Sequence, residues 1–169
     1  MKRAWFPAYL LVLALWFGGM AIFTFLITPT IFAAFPRDMA GEIVGRLFPV
    51  YFWSNLAFNA AGIALFIIVS GKQANKPFLV SSVCLLTALM INLLIVFRVH
   101  PEAVRAKQAV SSFERESPDS PARKRFARLH GVSAVLNLIV VVEGAVLLVA
   151  AASVRRKSDS EDLPGPPEP

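Results

Sequence analysis

Between Phe6 and Phe35 the chain reads FPAYLLVLALWFGGMAIFTFLITPTIFAAF, with no charged residue. A helix needs about 20 apolar residues to cross about 30 Å of hydrocarbon. This run exceeds that length, so it should tilt or continue past the interface. It follows Met1-Lys2-Arg3 and therefore imitates a secretory signal. The apolar part of a signal is only about 7–15 residues, and no clear small-x-small cleavage site follows here. The run reads as a retained span, with a kink expected at Pro29 near its far end.

Three similar runs follow, over residues 50–70, 78–97 and 131–154. The polar GKQANKP stretch, Gly71–Pro77, makes a short hairpin connection between the second and third. Arg155-Arg156-Lys157 closes the fourth, and the acidic, Pro-rich remainder of 155–169 is expected to be a disordered tail. Spanning segments must satisfy their own backbone hydrogen bonds, which favours helices. The alternation typical of barrel strands is absent. The expected fold is all-α: one integral membrane four-helix bundle over residues 1–154.

The whole composition agrees with that reading. Of 169 residues, 56% are hydrophobic and 17% charged, against about a quarter charged in soluble domains. Mean hydropathy is +0.62. The net charge of +6 could suggest nucleic acid, but no base-reading motif accompanies it, so no nucleic-acid partner is expected. The basic residues flank the apolar runs, as membrane topology requires. Cys84, the single cysteine, excludes an intramolecular disulfide and a cysteine-pair metal site.

Two connections carry more content. Arg37–Phe48 places Met39, Ile43 and Leu47 at helical spacing, with Arg37, Asp38, Glu42 and Arg46 elsewhere, which suits a short interfacial helix. In His100–Arg128, Ala103, Ala106, Val110 and Phe113 share one face until SPDSP interrupts. RKRFARLH then leads into span four as the same helix. Ala14/Gly18, Ala57/Ala61 and Ala60/Ala64 are small-xxx-small pairs that permit close helix approach, a signal common to many membrane helices.

With four spans, both termini share one face and the two longer connections the other, here the loop face. Along a helix of 1.5 Å rise, Thr28, Asn55 and Asn92 lie about 8 Å beneath it, Asn137 about 10 Å and Asn59 about 13 Å. Arg98, His100 and His130 stand at the rim. His130, Ser133 and Asn137 fall at i, i+3 and i+7 and share a helix face, as do Asn55 and Asn59. Two readings of this polar layer stay open. It is a seam of interhelical hydrogen bonds, averaging about 0.6 kcal/mol each, or a polar cavity open to the loop face.

Glu143 lies deeper, near the bilayer middle, and about 120° round the helix from Asn137. A charge there costs at least about 2.5–3.5 kcal/mol. It is read either as a neutral acid hydrogen-bonded to Thr24, Thr87 or Asn59, or as a proton- or cation-binding carboxyl. His100 and His130 are candidate haem or metal ligands, but they lack helical i, i+4 spacing and no HExxH or CxxCH motif is present. No metal site or cofactor is assigned. The Arg123–Arg128 run is expected to meet lipid headgroups.

Lys plus Arg number ten on the loop face (Arg37, Arg46, Arg98, Arg105, Lys107, Arg115, Arg123, Lys124, Arg125, Arg128). The terminal face has seven: Lys2, Arg3, Lys72, Lys76, Arg155, Arg156 and Lys157. The count favours a cytoplasmic loop face, although the unopposed Lys2-Arg3 pair argues the other way. A bacterial cytoplasmic (inner) membrane is the expected location.

Several pieces, taken in order, resemble the transmembrane protein 205-like family, which includes the bacterial domain of unknown function 4149. They are Trp16-Phe-Gly18-Gly19, Thr28-Pro29, Phe32, Gly41, Gly45-Arg-Leu-Phe48 and Tyr51. Asn92, Pro101 and Phe126-x-x-Leu129-His130-x-x-Ser133-x-x-x-Asn137-Leu138 complete the series. The likeness covers about Phe6 to Val154; Glu143 and the tail lie outside it. It implies four membrane helices and makes His130, Ser133 and Asn137 a family feature, but implies little about activity.

Three function classes follow. The first is a transport or channel-like protein for a small solute or ion, for which a homodimer would widen the pathway. The second is a structural or partner-binding membrane protein. The third is a haem- or metal-binding one. An enzyme is not expected: no nucleophile–base pair, phosphate loop or paired carboxylates occur at usable spacing.

Overall fold

The structure is a computed structural model, which describes residues 2–70 and 76–161, with side chains described over 4–70 and 76–153. The described residues are helical apart from two short links. Rod one is α1 (Lys2–Ile22), a π-helical turn (Phe23–Ile27) and α2 (Thr28–Ala34). Rod two is α3 (Arg37–Ser70). Rod three is α4 (Lys76–Leu94), a second π-helical turn (Ile95–Val99) and α5 (His100–Gln108). Rod four is α6 (Pro121–Glu161). Each rod touches its chain neighbours, and α6 returns to α1, closing a four-helix ring.

Among the described residues, four helices are long and apolar enough to cross a membrane: Ala4–Ala34, Arg37–Ser70, Lys76–Gln108 and Pro121–Ser153, with mean hydropathy of 1.8–2.5. Only 17–28% of each apolar window is buried inside the protein. The rest, including Leu11, Leu26, Val50, Ile67, Leu86, Met90, Val142 and Val149, faces outward. That much outward apolar surface requires lipid, so this is an integral membrane protein.

Pro29 does not break rod one. A helical proline lacks an N–H, and its ring crowds the carbonyl four residues back. For Pro29 and Pro101 those carbonyls belong to Phe25 and Phe97, and both lie in the π turns. There the ladder widens by one residue: Thr28 N–H donates to Phe23 O and His100 N–H to Ile95 O. The same device thus accommodates a proline near the loop-face end of two rods. Pi-turns of this kind often sit beside functional sites.

The amphipathic segments are helical but not separate. Arg37–Phe48 is the beginning of α3, with Pro49 inside the continuous helix, and His100–Gln108 is continuous with span three. The first link is only Phe35-Pro36, where Pro36 holds Phe35 extended (φ −127°, ψ 152°). The second, 109–120, is the longer loop-face connection. Rods of 31–34 residues reach about 50 Å at 1.5 Å per residue, so their ends project beyond about 30 Å of hydrocarbon.

Helix α6 runs through Glu161, whereas the sequence reading begins a disordered tail at residue 155. No Gly or Pro interrupts the chain between Gly144 and Pro164, which explains the continuation. Residues 71–75, most of the GKQANKP turn, and residues 162–169 lie outside the described residues.

The core centres on Leu13, Trp16 and Met20 of α1, Leu85 of α4, and Val140 and Leu147 of α6, all at most 1% exposed. The small-xxx-small pairs do not mark its close approaches. Ala14, Ala57, Ala60 and Ala64 are exposed, and a Cβ at Gly18 would meet nothing. The tight crossing is at Gly144, where a Cβ would stand 3.2 Å from Met20 Cε and 3.5 Å from Phe17 Cβ. Hydropathy spacing could not find this crossing, because helix rotation decides which small residue faces a neighbour.

Candidate functional site

The loop-face ends of all four rods enclose a cavity of about 310 Å³. Thr28 and Phe32 supply one wall, and Gly41, Gly45, Phe48 and Phe52 the next. His100, Ala103 and Lys107 of α5 form a third, and Phe126, His130 and Ser133 of α6 the fourth. Phe113 from the 109–120 connection roofs it. Three side chains in the lining are cationic, Arg37, Lys107 and Arg123, and none is a carboxylate.

The walls are an aromatic framework. Phe48 and Phe52 stack at 5.3 Å between centroids, as the i, i+4 spacing on α3 permits. His100 meets Phe52 edge-on at 5.2 Å and Phe48 at 6.1 Å. Opposite, His130 lies flat on Phe126 at 5.7 Å, and Phe126 meets Phe113 edge-on at 5.0 Å. The two candidate ligand histidines therefore border one cavity, each engaged with aromatic rings. Among the described residues, no cluster of three His, Cys, Asp or Glu side chains suited to a metal exists.

Lys107 crosses the gap from α5 to α3, where Nζ donates to Gly41 O at 2.6 Å. A Cβ at Gly45 would lie 3.2 Å from that ammonium, and one at Gly41 3.8 Å. The Gly41-x-x-x-Gly45 spacing thus clears a shelf on α3 for Lys107. The roof is tied to the same helix: Asp38 accepts from Ser112 Oγ at 2.6 Å and from Phe113 N–H at 2.7 Å. Within the connection, bonds from Ser120 Oγ and from Ser111 N–H and Oγ hold the Glu116 carboxyl below the ordinary glutamate range. Arg123 sits 5.7 Å over the Phe113 ring and donates to Glu116 O, completing the roof's anchorage.

Beneath the cavity the polar groups pair off. Tyr51 OH donates to Asn137 Oδ1 at 2.6 Å, and Asn137 Nδ2 donates to Thr24 Oγ1 at 3.0 Å. This three-rod triad is flanked by Phe23, stacked on Tyr51 at 4.2 Å. Replacing Asn137 by alanine breaks both bonds. The expected loss is about 0.6–2 kcal/mol of unfolding free energy, measured in mixed micelles, with Ser133→Ala as a smaller-effect control.

The expected polar layer therefore divides. Thr28, His130 and Ser133 reach the cavity, while Asn137 turns into the triad. Asn55, Asn59 and Asn92 are buried elsewhere, at 5%, 0% and 3% exposure. Asn59 Nδ2 donates to Leu85 O at 3.3 Å, whereas its Oδ1 and Asn92 Nδ2 have no hydrogen-bond partner among the described residues. Arg98, expected at the rim of the layer, is exposed and does not line the cavity, because helix rotation turns it outward. Glu143 Oε1 accepts a hydrogen bond from Thr87 Oγ1, one of its three expected partners, and Oε2 has no partner among the described residues.

Sequence reasoning missed Tyr51 as the triad's donor and the aromatic and cationic walls. The Phe48/Phe52 spacing and the Gly41/Gly45 pair were the available signals. Of the Arg123–Arg128 run expected to meet headgroups, Arg123 turns inward to the roof.

The chain matches the family described as Domain of unknown function (DUF4149) over residues 11–112. That region includes Gly41, Gly45, Phe48, His100 and Lys107 and stops before His130, Ser133 and Asn137. An uncharacterized protein of Aquifex aeolicus (strain VF5) is 32% identical over 133 residues, covering 79% of this chain and 86% of that relative. No solved structure matches.

Proposed function

This chain belongs to the DUF4149 family, and we propose that it is a membrane-embedded solute-binding protein whose site is the cavity at the loop-face end of the bundle. One observation carries this reading: a single chain brings all four rods together around about 310 Å³ of space, within the range of small-molecule sites. Its lining is mostly apolar with a few convergent polar groups, the usual character of such sites. A homodimer is not needed to form it.

We infer binding rather than catalysis, because the lining offers His130 and Ser133 but no carboxylate to orient the imidazole. The haem or metal reading is weaker, since both histidines are held against aromatic rings. Transport would add a step. Passage past the cavity requires the Tyr51–Asn137–Thr24 triad to part, and Trp16, Met20 and Val140 fill the bundle core. All-helical spans and the Lys/Arg count support a cytoplasmic membrane with the cavity toward the cytoplasm.

The test uses single cysteines in a Cys84→Ala background, reconstituted in liposomes. Ser133→Cys is expected to react with a water-soluble maleimide from one side only, and Asn59→Cys from neither. At least one member of a panel of small anionic, neutral and cationic organic solutes should slow Ser133→Cys labelling saturably. Failure of Ser133→Cys to label, or labelling that no solute slows, rejects the proposal. Solute flux that rises when Asn137→Ala removes the triad's bonds would extend binding to transport.

A further inference from the structure

We propose that the cavity takes an amphipathic anion, an apolar body ending in one carboxylate or phosphate head, drawn from the bilayer. This deepens the solute-binding reading and rests on it. Four observations converge on that ligand class.

First, two cations of the lining are left without a carboxylate. Among the described residues, the ion pairs are Arg46–Glu42, Arg105–Glu102, Lys124–Asp119 and Arg125–Glu102. None involves Arg37, Lys107 or Arg123, the three cations lining the cavity. Arg123 is within electrostatic reach of Asp38 and Glu116, so Arg37 and Lys107 are the cations whose field the low-dielectric walls focus on the cavity.

Second, Lys107 is only partly satisfied. An ammonium has three donors, and among the described residues Nζ has one hydrogen-bond acceptor, Gly41 O. The backbone shelf at Gly41 and Gly45 holds the ammonium at the cavity wall without a side chain beneath it. An anionic head there would meet a charged donor already positioned. Arg37, at the start of α3, borders the same space.

Third, the remaining walls suit hydrocarbon. Phe32, Val44, Phe48, Phe52, Val104 and Phe126 line the cavity, and a compact inorganic anion would leave these faces unfilled. Fourth, the source is local. Phe32 and Val104 are 46% and 39% exposed while also lining the cavity, so each is shared between the cavity and the outer surface. The cavity lies near the loop-face end of rods longer than the hydrocarbon is thick, where lipid heads reside.

The experiment measures binding to the full chain in phosphatidylcholine nanodiscs. The ligands are dodecanoate, dodecanol, dodecyltrimethylammonium and benzoate, each competing with a fluorescent fatty acid. Dodecanoate should bind about ten- to a hundredfold tighter than dodecanol or the ammonium analogue, the selectivity expected of a charge-assisted hydrogen bond. Lys107→Gln keeps a donor for Gly41 O. It should weaken dodecanoate by about tenfold or more and leave dodecanol unchanged, while Lys107→Arg restores most of the preference. Arg37→Gln is a second, independent charge deletion and should reduce it in the same direction.

Equal binding of dodecanoate and dodecanol overturns the anion preference while leaving solute binding intact. Benzoate binding as tightly as dodecanoate overturns the bilayer source. If no probe binds and no solute slows Ser133→Cys labelling, the underlying site reading fails as well.

Discussion

Replacing Trp16 by alanine is expected to lower the unfolding free energy by about 3 kcal/mol, the low end of the range for large aromatic truncations. Trp16 is 0% exposed and packs between Leu13 and Met20 in the core cluster. The low end applies because lipid is as apolar as the protein interior. The penalty comes from lost packing and the cavity left behind. One compensation exists: Trp16 Nε1 has no hydrogen-bond partner among the described residues, so truncation also removes a buried unsatisfied donor. Trp16→Phe should therefore cost less than Trp16→Ala. Trp5, 47% exposed on the same helix, should tolerate alanine with little loss. Denaturant titration in mixed micelles reads all three; equal effects at positions 5 and 16 would contradict this core.

Gly144→Leu is the second large effect, about 1–3 kcal/mol by overpacking. A Cβ there already comes within 3.2 Å of Met20 Cε and 3.5 Å of Phe17 Cβ and Cδ2. The methionine tip can swing aside, so Gly144→Ala should be mild. The Cβ of Phe17 is fixed to its backbone and cannot, so leucine must push α1 from α6. Gly18→Leu is the control, since nothing lies within 4 Å of its Cβ position. The expected order of micelle stability is wild type and Gly18→Leu together, Gly144→Ala slightly lower, Gly144→Leu lowest. Separation of α1 from α6 should also loosen the triad, because Thr24 and Asn137 bond across those two rods. Asn137→Ala should consequently cost less in Gly144→Leu than in the native chain.

Much of the loop-face end could be anticipated. His130 and Ser133 were placed on one helix face by their spacing, and they do share a cavity. Asn137, on the same stripe, turns instead to Tyr51 and Thr24. Tyr51 stands in the family-like series, but nothing in its local sequence shows that it faces Asn137, 86 residues away. In sequence Lys107 is only one of ten basic residues on the loop face. Its role depends on Gly41 and Gly45, more than sixty residues earlier, and no local pattern connects them. Asn92 shares the estimated depth of the layer yet belongs to another part of the interior.

The sequence by itself determined that four helices cross a membrane, roughly where each does, and which face carries the longer connections. Lipid compatibility is nearly additive along a segment, so a one-dimensional record suffices for it. Only the tertiary structure decided what the polar residues mean. Rotation of each rod about its axis turns Arg98 outward, sends Asn137 into the triad and brings His100 and His130 to one cavity. Those rotations are set by packing between rods, above all the Gly144 crossing and the Trp16 core, and packing between distant segments leaves no periodic trace in any one of them. The opening run from Phe6 to Phe35 shows both sides: its hydropathy announced the span, while its Thr24 gained a hydrogen-bond partner and its Thr28 and Phe32 a shared cavity only when the other three rods closed around them.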